Sequence, residues 1–209
     1  MIGRIIETDA CIAEGIDWLS VNVPEFAVAA NACGPIPLRR TEDGFDRLLS
    51  AIVSQQVSVA SANAIWARVE QAGMTRPHAI RASTVDELRA IGLSRQKATY
   101  AKALADADID FIALRTAPTD DVVKTLTAVK GIGVWTAEIY AMFALGRADV
   151  FAPGDLALQE SAKILFQMEN RPTEKQLRLM ANDWSPWRAV AARLLWAYYK
   201  VAKDREGIR

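Results

Sequence analysis

The sequence predicts an all-α protein, and three observations carry that reading. The chain has 209 residues, 51% apolar and 24% charged, the make-up of an ordinary globular protein able to bury roughly 70% of its unfolded surface without staples. Apolar residues recur at spacings of three and four rather than two, the period of a helix face. Clusters of β-branched residues with strand-like alternation are scarce.

Taken in order, a first helix is expected at about 9–20 and a second at about 24–33, followed by the breaker Gly34-Pro35-Ile36-Pro37. Phe45, Leu48, Leu49, Ile52 and Val53 form one amphipathic face that ends near Ser54-Gln55-Gln56. Ser58 starts the next helix, which runs to about Gln71 with Gly73 as its stop. Thr84 with Glu87 is a capping box for a short helix ending at Gly92, and Ser94 caps RQKATYAKALADA. Further helices are expected at about 119–128, 134–145, 156–167, 173–181 and 186–203. There is no internal repeat, no low-complexity segment and no linker long enough to separate independent domains.

Composition excludes several kinds of chemistry. Cys11 and Cys33 are the only cysteines, too few for a disulfide framework or a four-thiolate iron–sulfur or zinc centre. A single histidine, His78, leaves no multi-histidine metal site. The N-terminus lacks the apolar core of a secretory signal and no run spans a membrane, so an intracellular, soluble protein is expected. Formal charge is zero, but residues 1–120 hold 12 basic against 15 acidic groups, a net of −3, and residues 121–209 hold 13 against 10, a net of +3. If any part meets phosphate, the second part is the better placed.

The most informative stretch runs from Thr119 to Gln159. A helix, DDVVKTLTAV, is followed by Lys130-Gly131-Ile132-Gly133 and a second helix, VWTAEIYAMFAL. The two glycines permit a tight hairpin whose free N–H groups face outwards at the positive end of the second helix, a setting suited to phosphate. A plain turn between packed helices is the alternative. Asp155, after Pro153-Gly154, opens a helix and on spacing alone reads first as an N-cap.

The segment LTAVKGIGVWTAEIYAMFALGRADVFAPGDLALQ resembles the helix-hairpin-helix DNA glycosylase superfamily, and within it most closely the DNA-3-methyladenine glycosylase II branch of alkylation repair. LLSAIVSQQVSVASA, LRAIGLSRQKATYAKALA and WSPWRAVAARLLW extend the resemblance, in order, over roughly residues 40–200. It implies one glycosylase domain in a compact form, without the extra N-terminal β-rich domain some members carry. One lobe would comprise about 1–40 plus 150–209, the other about 41–149 with the hairpin at 119–145, and the active-site cleft would lie between them.

The resemblance also assigns roles. Asp155, twenty residues after Trp135, matches the catalytic aspartate, a fixed carboxylate that favours the oxocarbenium-like sugar of N-glycosidic hydrolysis. Trp135 stands where strand-cutting members carry a Schiff-base lysine, which implies hydrolysis to an abasic site with no lyase step. Trp135 and Trp187 match residues lining a pocket for a cationic alkylated base such as 3-methyladenine or 7-methylguanine, whereas Trp66, Trp184 and Trp196 read as packing. Gln56 lies at the wedge position that fills the gap left by an extruded base, with Gln55 and the neighbouring serines supporting its loop. Lys130 precedes the glycines where the hairpin usually has proline. The carbonyls of Thr127, Val129 and Ile132 would hold a monovalent cation, sodium or potassium, while Gly131 and Gly133 donate to a DNA phosphate. Arg95 and Lys97 are candidate phosphate contacts or simply a solvated face. No other cofactor and no iron–sulfur cluster is implied. The expected partner of this monomer is double-stranded DNA with alkylated bases, in the bacterial cytoplasm at the nucleoid or in a eukaryotic nucleus. Two alternatives remain: a glycosylase for other damaged or mismatched bases, and a catalytically silent DNA-binding module, which would have no need of an acid at Asp155.

Overall fold

A computed structural model describes residues 2–205. Among them the chain forms thirteen α-helices and a 3-10 turn, and its only extended pairing is an isolated bridge between Ile5 and Arg147. The helices are α1 (Asp9–Asn22), α2 (Pro24–Cys33), α3 (Phe45–Ser54), α4 (Val59–Gln71), α5 (Pro77–Ala82), α6 (Val85–Ala90), α7 (Arg95–Asp106), α8 (Phe111–Thr116), α9 (Thr119–Thr127), α10 (Val134–Phe143), α11 (Leu156–Leu165), α12 (Glu174–Met180) and α13 (Arg188–Arg205). No helix among the described residues is long and apolar enough to cross a membrane.

The helix starts follow the capping chemistry of the sequence. Ser58 accepts from Ser61 N–H and Ser94 from Lys97 N–H, each at 3.2 Å, and Thr84 and Glu87 close a reciprocal capping box. Two helices were not expected. The six-residue α5 begins with Pro77, and the six-residue α8 is capped by Asp110, which accepts from Ala113 N–H at 2.9 Å. Both are too short for a 3.6-residue period to show above noise. The last helix begins at Arg188, two residues later than expected, because residues 181–184 form the 3-10 turn ahead of Pro186.

The chain divides into two compact units. Unit 1 contains residues up to Thr41 together with those from Ala141 onward, and unit 2 runs from Glu42 to Tyr140. Residues 141–149, assigned from the sequence to the hairpin-bearing lobe, group instead with unit 1. The cause is local pairing: Ile6 N–H donates to Gly146 at 2.7 Å and Ala148 N–H to Arg4 at 3.0 Å, binding this stretch to the N-terminal segment.

In unit 1, α13 packs against α1, α2 and α11. Its core includes an aromatic cluster on Trp184, which is 2% exposed and is met by Phe26 and Phe151 at 5.2 Å edge-on and by Phe166 stacked at 5.8 Å. In unit 2 the predicted face of α3 is buried throughout, and α4 and α7 pack against this helix.

Candidate functional site

In unit 2 the structure builds the predicted hairpin. α9 ends at Thr127, and Val129 N–H and Ile132 N–H turn back onto Leu126 and Val129, both at 3.1 Å. Gly131 has φ +99°, and a Cβ there would lie 2.3 Å from the Tyr100 ring, so two independent constraints require glycine. Ile132, buried at 5% exposure, anchors the loop, whereas Lys130 and Gly133 are exposed at its tip. Among the described residues no acceptor takes the N–H of Gly131 or Gly133. Of the three carbonyls assigned to a cation, that of Val129 also accepts from Ile132 N–H, and that of Thr127 belongs to the last turn of α9, where carbonyls lack helical donors.

The end of α3 is tied to this hairpin. Gln55 Nε2 donates to the Gly131 carbonyl at 2.9 Å. The next residue, Gln56, is exposed and has φ +55°, a conformation that costs a non-glycine residue energy and that tertiary contacts must sustain. Lys97 supplies one such contact. Its ammonium donates to the Val53 carbonyl in the last turn of α3 at 2.7 Å.

That placement corrects the reading of Lys97 as a phosphate contact. The residue is 9% exposed, and burial lowers its pKa from the ordinary lysine value. It caps a helix and does not face solvent. Arg95 is exposed at the start of α7 and lies 3.8 Å from Asp86.

Trp135, 45% exposed, stands beside a concavity of about 210 Å³ within unit 2. Arg47, Ser50 and Ser54 from α3, with Gln55, line it opposite Trp135 and Tyr140 of α10. Sequence reasoning missed Arg47 and Ser50. Their signal is the spacing 47, 50, 54, a polar stripe beside the buried face of α3. Burial raises the pKa of the Tyr140 hydroxyl, which accepts from Gly44 N–H at 3.0 Å.

In unit 1, Asp155 is an N-cap. Its Oδ1 accepts from Ala157 N–H at 2.9 Å and Leu158 N–H at 3.1 Å at the start of α11. The same oxygen accepts from Trp196 Nε1 at 3.3 Å. The preceding loop is held by Gln159, whose amide donates to the Pro153 carbonyl at 2.8 Å.

The tryptophan brought to the aspartate is therefore Trp196, assigned from the sequence to packing. Trp187 is 4% exposed, lies close against Gly15 of α1, and has the Arg4 guanidinium 5.8 Å over its ring. Nearby, Arg188 grips Asp149 through two bonds of 2.5 and 2.9 Å, and Ser185 adds a third at 2.9 Å. Burial alone would raise the Asp149 pKa, but these partners bring it below the ordinary carboxylate value.

Comparison with known proteins places the chain among DNA repair proteins. The family described as HhH-GPD superfamily base excision DNA repair protein matches residues 49–186. DNA-3-methyladenine glycosylase 1 of Schizosaccharomyces pombe is 28% identical over 177 residues, covering 80% of this chain and 78% of that protein. DNA-3-methyladenine glycosylase 2 of Escherichia coli is 31% identical over 168 residues, 74% of this chain and 57% of that protein. A DNA-3-methyladenine glycosidase from Bacillus halodurans superposes with a TM-score of 0.83 at 32% identity, covering 96% of this chain and 94% of that one. The S. pombe 3-methyladenine DNA glycosylase in complex with abasic DNA gives 0.76 at 27% identity, covering 88% and 95%. With the family match spanning most of its length, the chain belongs to the HhH-GPD superfamily of base excision DNA repair proteins.

Proposed function

We propose that the protein is a monofunctional DNA glycosylase that extrudes alkylated purines, chiefly 3-methyladenine and 7-methylguanine, from duplex DNA and hydrolyses their N-glycosidic bonds to leave abasic sites. The observation that carries this is the Asp155 carboxylate, oriented through one oxygen by two backbone N–H groups and the Trp196 indole. As the bond breaks, its electron pair goes to the base, which leaves neutral when N3 or N7 methylation had made it cationic. Positive charge grows at C1′, where a carboxylate stabilises the transition state more than the ground state. Water adds at C1′ and its proton passes to Asp155 or to solvent.

In unit 2, Trp135 offers an exposed aromatic face suited to a cationic base. It carries no amine, which supports hydrolysis without Schiff-base chemistry. Gln56, at the tip of the turn after α3, fills the vacated stack. Gly131 and Gly133 N–H groups and Lys130 hold a backbone phosphate, and Arg95 adds a peripheral contact. The carbonyls of Thr127, Val129 and Ile132 suit a monovalent cation at that phosphate, since all are neutral oxygen donors within one turn. The partner is damaged duplex DNA, met by a monomer.

The test is release of methylated bases from alkylated duplex DNA by the wild type and by Asp155→Asn. Wild-type release of both bases is expected, with a rate about a hundredfold or more lower for the variant. Equal release would remove Asp155 from the chemistry. No release by either protein would leave a silent DNA-binding module.

A further inference from the structure

Unit 1 gathers three guanidinium groups that take no part in the reaction described above. Arg193 of α13 is 3% exposed and donates only to carbonyls: Ala189 at 2.8 Å, Leu38 at 3.4 Å and Met142 at 3.5 Å. Its guanidinium carbon lies 4.6 Å over the Phe143 ring. Arg39 and Arg40 follow Leu38 directly, so the carbonyl that Arg193 holds fixes the backbone from which they project. Burial, and then the charges of Arg39 and Arg40, push the Arg193 pKa down to about 10, which is the mark of three like charges close together.

The two exposed arginines are built into place. Arg39 has φ +51°, unfavourable for a non-glycine residue. The Arg40 guanidinium lies across Gly146, where φ is +71° and a Cβ would sit 2.0 Å from Nη1. Among the described residues neither Arg39 nor Arg40 forms a salt bridge. Other arginines of this unit do: Arg4 with Glu14, Arg171 with Glu160, Arg178 with Glu174 and Arg188 with Asp149. Three positive charges close together, one of them on a left-handed backbone, repel one another, and a bound anion would relieve that repulsion. Guanidinium forks match the oxygens of a phosphate in particular. Two aromatic rings link Arg193 to the carboxylate assigned to catalysis: Phe143 beneath its guanidinium lies 5.8 Å from Trp196, which bonds Asp155.

We propose that Arg39 and Arg40, seated on Leu38 and Gly146 with buried Arg193 behind them, form a phosphodiester-binding site by which unit 1 holds the DNA backbone, separately from the hairpin of unit 2. The proposal rests on DNA being the partner. The test is the salt dependence of binding of the full chain to a fluorescent duplex, for wild type, Arg39→Gln, Arg40→Gln, the double variant and Arg171→Gln. Each of the first two substitutions is expected to lower the slope of log affinity against log salt by about 0.9, and the double variant by about twice that. Arg171→Gln, which removes an equal charge from a paired arginine, is expected to leave the slope unchanged. An unchanged slope in the double variant overturns the proposal, and so does an equal effect of Arg171→Gln. A matched series with inorganic phosphate decides the source of the anion: if millimolar phosphate abolishes the difference between wild type and double variant at constant ionic strength, the site takes free anion and the backbone assignment falls. Base release by the wild type is scored separately. Release with an unaltered slope in the double variant sinks this proposal alone, and a lowered slope without release sinks the catalytic reading alone.

Discussion

Three donors converge on one oxygen of Asp155, and their unequal character says what each does. The Ala157 and Leu158 N–H groups belong to the helix start and would cap any aspartate there. The indole N–H of Trp196 comes from a different helix, so it fixes the carboxylate relative to the body of unit 1 rather than merely to its own backbone. Trp196→Phe removes that donor and keeps a ring near Phe143. A hydrogen bond to a charged group is worth about 1.5–3 kcal/mol, so the single-turnover rate should fall roughly tenfold or more, with affinity for abasic DNA little changed. An unchanged rate would reduce Trp196 to packing. The sequence reading puts Trp187 in the pocket and Trp196 in the packing, and both lie within one apolar, tryptophan-rich segment where no local signal separates the two roles. The choice is made by Gly15, whose missing side chain lets the ring of Trp187 lie against α1 and become buried.

At the scale of elements, the hairpin and the end of α3 act as one piece, joined by the Gln55 amide at the Gly131 carbonyl. Gly131 and Gly133 look alike in the sequence but not in the structure. Alanine at 131 meets both a left-handed φ and the Tyr100 ring, whereas nothing lies within 4 Å of a Cβ at 133. Gly131→Ala should therefore destabilise the protein by about 2 kcal/mol or more, a fall in Tm of roughly 4–8 °C, and Gly133→Ala by less than half of that. Thermal melts of the two variants check the difference, and equal shifts would refute it. The legible parts of the fold were those with a local chemical signature: the caps at Ser58, Thr84 and Ser94, the apolar face of α3, and the paired glycines. The illegible parts depend on distant partners. Lys97 reads as a surface cation until the carbonyl of Val53, 44 positions away in sequence, is placed beside its ammonium. Gln56 gives no sign in the sequence of its left-handed backbone.

For the whole molecule, folding regroups the charges that lie along the chain. Along the chain the final 89 residues carry a net of +3, which made them the expected home of the phosphate contacts. Grouped by the compact units, that asymmetry nearly vanishes. Unit 1 holds 14 basic against 13 acidic residues and unit 2 holds 11 against 12, so the hairpin lies in a unit of net −1. Neither unit has a net charge beyond +1 to draw it to DNA, so under the proposed function and the proposed arginine site the attraction comes from local features: hairpin N–H groups, Lys130, Arg95, and the Arg39 and Arg40 pair. Backbone donors bind phosphate without adding mobile positive charge, so they contribute little to counterion release. Fewer than about six phosphates should then be neutralised, and affinity for an undamaged duplex should fall by less than about a thousandfold between 50 and 200 mM salt. Anisotropy titrations across that range measure it. A steeper fall would mean that basic side chains beyond these few reach the backbone, and that the near-neutral charge of each unit conceals a larger positive surface on the DNA-facing side.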